Sequence, residues 1–147
     1  MSNFLRRVES NCAAYKDRIA FEDNRRSITF NELWNESGKV FTWLKKQGMK
    51  KEDFCQIVLP KSASSMAALL GVLRSGCAFC NLDSAYPPER IAYTRADLNA
   101  KCVIDEVTYA KIQKEEEPSE GYVKADPHDA VCPVIRRHVR QFLFADG

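Results

Sequence analysis

No apolar run in this 147-residue sequence approaches bilayer-spanning length, which argues against a membrane helix. Arg6 and Arg7 interrupt the opening stretch where an export leader needs unbroken apolar residues, so the expected location is cytoplasmic. Histidine is scarce: His128 and His138 are the only two, and neither has cysteines or carboxylates around it at metal-ligand spacing. Neither sign of charge dominates, with 22 basic against 20 acidic side chains, and no basic stripe marks a nucleic-acid surface. Glycine is sparse and scattered as well. The six, at 38, 48, 71, 76, 121 and 147, never cluster, whereas a phosphate-cradling loop uses clustered glycines to let backbone donors converge.

Six cysteines are present, at 12, 55, 77, 80, 102 and 132. Most stand singly among apolar residues, and without an export signal they read as reduced, buried side chains rather than a disulfide framework. Cys77 and Cys80 have the two-residue spacing of a metal or redox pair. No second pair accompanies them, and residues three apart on a strand face opposite ways.

The order of elements is that of an open α/β sheet with flanking helices. Residues 3 to 15 place Phe4, Leu5, Val8, Cys12 and Tyr15 at helical spacing. Two short strand-like pieces, 18–22 and 27–29, are joined by the polar turn Asp23-Asn24-Arg25-Arg26. Thr29 and Glu32 form a capping box that opens an amphipathic helix to about Gln47, with Gly48 as its stop. Phe54–Leu59 reads as a strand buried on both faces, Ser62–Ser75 as a nearly all-apolar helix, and Cys77–Leu82 as the next parallel strand. The serines at Lys61–Ser65 supply a helix cap, at a junction where free backbone donors can also hold an anion. Pro87 and Pro88 rigidify a loop leading into a helix to about Asp97, and Cys102–Asp105 is a third strand. Lys114–Gly121 is charged and rich in breakers, and reads as an exposed connection. Ala130–Gly147 has the spacing of a short basic amphipathic helix.

Two stretches resemble the first core motifs of the adenylation domains of nonribosomal peptide synthetases, within the wider family of AMP-binding, adenylate-forming enzymes. Ile28-Thr29-Phe30-Asn31-Glu32-Leu33 is similar to the first motif. Leu73-Arg74-Ser75-Gly76-Cys77-Ala78-Phe79-Cys80-Asn81-Leu82-Asp83 is similar to the second, with Tyr86-Pro87-Pro88-Glu89-Arg90 following at the usual interval. Asn81 and Ser84 depart from the pattern, standing where the family usually has prolines.

The resemblance implies the N-terminal subdomain of the adenylate-forming fold, truncated, as a partial open parallel sheet. It assigns residues 1–130 to that fragment and 131–147 to a divergent tail. A one-base shift in codons permitted for Arg136–Gln141 spells Val-Gly-Thr-Ser-Gly, which resembles the start of the family's phosphate loop and motivates a frameshift hypothesis. The family uses Mg-ATP to make an acyl-adenylate and passes the acyl group to a thiol, commonly a carrier protein's phosphopantetheine. Both motifs here are scaffold, so the expectation is no catalytic residue, no cofactor-binding residue and no metal ligand in this chain. The implied function is a fragment of an amino-acid-activating ligase that is inactive alone and needs no cofactor of its own, with the remaining part of an adenylation enzyme or a carrier protein as its expected partner. The alternative is a non-catalytic module that docks with a complementary adenylation-enzyme piece. The apolar helix 62–75 is expected to leave an outer face exposed.

Overall fold

A computed structural model describes residues 2–123, with side chains from residue 4 onward. The segment 126–130, the basic helix expected over 130–147, Cys132 and both histidines lie outside the described residues.

Helix formation follows the local chemistry. α1 (Ser2–Ala14) buries Leu5 and Cys12, seven residues apart on one face, and leaves Phe4 exposed. A hairpin follows, with β1 (Ile19–Glu22) antiparallel to β2 (Ser27–Thr29). At Thr29 the capping box expected from the sequence is complete. The Thr29 hydroxyl accepts from the Glu32 N–H at 3.1 Å, and the Glu32 carboxylate accepts from the Thr29 N–H at 3.2 Å. α2 (Phe30–Lys46) starts there and ends in a Schellman turn, where the N–H groups of Gly48 and Met49 donate to the carbonyls of Lys45 and Leu44. Gly48 has φ +72°, the left-handed conformation that such a turn requires.

β3 (Phe54–Val58), α3 (Ala63–Arg74) and β4 (Ala78–Leu82) form a parallel strand-helix-strand unit. After α4 (Pro88–Asp97), β5 (Cys102–Ile104) pairs parallel to the other side of β3, giving strand order β4-β3-β5. α5 (Glu106–Glu115) follows, capped by the Asp105 carboxylate accepting from the Thr108 N–H at 2.8 Å. On β3, Cys55, Gln56 and Ile57 are all fully buried, as expected for a strand covered on both faces. Gln56 anchors α4. Its amide donates to the Ile91 carbonyl at 2.9 Å and its oxygen accepts from the Arg95 guanidinium at 2.8 Å. No residue of α4 itself is buried.

The expected exposed face on α3 is absent, because α2 lies across it. A Cβ built on Gly71 would stand 2.5 Å from the Val40 Cβ and 2.8 Å from the Ser37 carbonyl oxygen. Gly71, Ala67 and Ala68 remove side-chain bulk and so let the two helices approach closely, leaving Met66 as the exposed large apolar residue of α3. The exposed connection expected at 114–121 is also corrected. α5 extends to Glu115, and the following residues form a half-buried strap along α2.

Candidate functional site

In an open parallel sheet, ligands bind outside the carboxyl ends of the strands where the strand order reverses. Here that point lies between β3 and β5, and a cleft of about 790 Å³ occupies it. Its walls are the hairpin turn (Asp23, Arg26), the segment after β3 (Pro60, Ser62, Ser64) and the start of α5 (Tyr109).

The serine cap read from the sequence is present. The Ser62 hydroxyl accepts from the Ser65 N–H at 3.2 Å, and the Ser65 hydroxyl accepts from the Ser62 N–H at 3.0 Å. An anion does sit on this helix start, but it is the chain's own. The Asp23 carboxylate accepts from the N–H of Ala63 at 2.7 Å, of Arg25 at 2.7 Å and of Arg26 at 2.8 Å. These bonds, led by that from Ala63, hold the Asp23 pKa below its ordinary value. Nothing in the turn's composition announces this role beyond Asp23 itself, because the donor comes from a residue 40 positions away.

Next to it, Arg26 grips the Glu36 carboxylate through two nitrogens at 2.9 Å and donates to the Ser64 hydroxyl at 3.0 Å. The Tyr109 hydroxyl donates to the same carboxylate. The bond to Glu36 raises the Arg26 pKa, while burial, reinforced by the nearby Glu36 charge, raises that of Tyr109. One ionic cluster thus joins the hairpin, α2, α3 and α5. Its central carboxylate, Glu36, receives both the Arg26 guanidinium and the Tyr109 hydroxyl.

The arrangement suits a scaffold more than a triphosphate. The Asp23 carboxylate stands where a phosphate would meet the α3 start, and like charge there opposes binding. Cys77 and Cys80 do not form a pair site. Both are buried thiols, with Cys77 just before β4 and Cys80 within it, and burial pushes the Cys80 pKa up to about 11. Among the described residues no group of three or more His, Cys, Asp or Glu side chains is placed to hold a metal ion. No helix among them is long and apolar enough to cross a membrane.

Comparison with known proteins identifies the family and the fold. Bacitracin synthase 1 of Bacillus licheniformis is 33% identical over 93 residues, covering 63% of this chain and 2% of the synthase. A dimodular nonribosomal peptide synthase of Bacillus subtilis (strain 168) is 32% identical over 88 residues, covering 60% of this chain and 4% of its own. The N-terminal subdomain of Klebsiella oxytoca NpsA, solved with 3-hydroxyanthranilyl-AMSN, superposes with a TM-score of 0.73 at 19% identity. That match covers 85% of this chain and 34% of the solved one. The chain therefore spans a small part of these synthases and about a third of the solved relative, and its fold is that of part of the adenylate-forming N-terminal subdomain. With the AMP-binding enzyme family model matching residues 8–138, the chain belongs to the AMP-binding enzyme family.

Proposed function

We propose that this chain is the N-terminal scaffold portion of a ligase that activates an amino acid as its aminoacyl-adenylate for transfer to a carrier-protein thiol in the cytoplasm. On this reading the chain supplies no catalytic residue and does not complete adenylation alone. The observation that supports it best is the occupation of the switch-point cleft by the chain's own groups: Asp23 on the α3 start, and Arg26 and Tyr109 on Glu36. The Asp23 carboxylate engages the first backbone donor of α3, and Arg26 and Tyr109 engage the Glu36 carboxylate, which supports a scaffold role for these groups.

A second reading, docking onto a complementary adenylation-enzyme piece, draws on the sheet and α4. Among the described residues β4 and β5 each pair with β3 alone, and α4 buries none of its residues. ATP–pyrophosphate exchange, run across the proteinogenic amino acids, tests both readings. The expected outcome is no exchange by the purified chain and amino-acid-dependent exchange once a polypeptide carrying the rest of an adenylation domain is added. Exchange by the chain alone would overturn the first reading, and continued silence of every mixture would count against the second.

A further inference from the structure

The second sequence motif carries an arginine that scaffold packing alone does not require. Arg74, the last residue of α3, is fully buried. Among its described contacts no carboxylate lies within ion-pair distance. Its guanidinium instead donates to neutral acceptors: the Trp34 carbonyl at 2.8 Å and the Ser37 hydroxyl at 2.9 Å on α2, and the carbonyls of Ser119 at 2.8 Å and Gly121 at 2.9 Å beyond α5. It also lies 3.6 Å from the centre of the Trp34 ring. A guanidinium offers five donors in a planar fork, so it can bridge two backbones in a way a lysine cannot.

The residues it holds run along α2 as an extended strap. Lys46 pairs with Glu116 at 2.8 Å. The Thr42 hydroxyl lies 2.6 Å from both the Glu117 carbonyl and the Ser119 hydroxyl. With one proton to give, Thr42 donates to Glu117 and accepts from Ser119. The Ser119 N–H donates to the Gly38 carbonyl at 3.1 Å, and the Val123 N–H to the Arg74 carbonyl at 2.7 Å. Gly38 is required here, because a Cβ at that position would meet the Ser119 carbonyl oxygen at 2.9 Å. Every one of these strap contacts except the Lys46–Glu116 pair and the Thr42–Ser119 hydroxyl contact uses a main-chain atom of the strap.

We propose that residues 116–123 form a latch that opens and closes as one unit on the α2–α3 groove, with Arg74 as the positioning residue that reads its backbone. The hydrogen-bond anchors of the latch lie on α2 and at the end of α3, and its Tyr122 packs against the hydrophobic core. The latch opens without disturbing β3. The inference is independent of the adenylation reading.

Native-state hydrogen exchange on the full chain tests it, comparing wild type with Arg74→Lys and Thr42→Val. In wild type the Ser119 and Val123 amides should exchange at a common rate, faster than those of Gln56 and Ile57. Each variant should speed both strap amides together, by on the order of tenfold for Arg74→Lys and less for Thr42→Val, while the β3 amides keep their wild-type rates. Independent exchange of Ser119 and Val123 would overturn the proposal. So would β3 amides accelerating with the strap in Thr42→Val, a change at a half-buried position remote from the sheet.

Discussion

The Asp23 carboxylate lies on the first turn of α3, accepting the Ala63 N–H at 2.7 Å. This single bond ties the hairpin to the helix that follows β3 and places a fixed negative charge at the mouth of the sheet. It explains why a strand-to-helix junction with a serine cap, a plausible anion site in sequence, here holds a side chain of the same molecule.

A pH dependence follows from it. Because the folded pKa of Asp23 is depressed, its contribution is present above the unfolded value of 3.8 and is lost as pH falls through the lower folded value. Denaturant midpoints measured from neutral to acid pH should fall more steeply below that unfolded value for wild type than for Asp23→Asn. Equal slopes for the two proteins would show that the carboxylate bonds do not operate in solution.

Gly71→Ala should be destabilising by about 1–3 kcal/mol, since the added methyl overlaps Val40 in a close helix contact. Chemical denaturation reads the loss directly. The double variant Gly71→Ala, Val40→Ala should not recover full stability but should lose less than the sum of the single changes, because both act on one contact.

Arg26, Glu36 and Tyr109 should behave as a coupled set. Arg26 is partly exposed, so Arg26→Ala is expected to cost only about 1 kcal/mol, and Tyr109→Phe a similar amount. A double-mutant cycle should give a coupling of about 0.5–1 kcal/mol through the shared carboxylate. Strict additivity would mean that the cluster seen around Glu36 is not formed.

Buried thiols should be inert in the native chain. Burial raises the pKa of Cys55, Cys77 and Cys80, and the thiolate is the nucleophile. Peptide mapping after alkylation at pH 8 should show these three modified at least about a hundredfold more slowly in native than in denaturant-unfolded protein. Rapid native labelling at Cys77 or Cys80 would reopen the pair-site reading of the second motif.

Much of this architecture was legible because its signals are local. Thr29 and Glu32 announced α2, Gly48 announced its end, and unbroken apolar residues around Ile57 announced a strand covered on both faces. α5 was missed because only Tyr109 and Ile112 are buried on it, too few to set a helical period, although Asp105 carried a usable cap signal. The strap was misread because Pro118, Ser119, Glu120 and Gly121 have the composition of a solvated loop. What holds them is backbone bonding to Arg74 and Gly38, more than forty positions away, which no local pattern encodes. The contact between α2 and α3 was likewise hidden, since Gly71 reads as a weak helix former until Val40 is seen against it.

Nucleotide binding by the purified chain is the most direct test of the account. Titration with Mg-ATP followed by calorimetry should show no saturable binding, because Asp23 already occupies the α3 helix start. A saturable isotherm with one nucleotide per chain would contradict the reading of this polypeptide as scaffold.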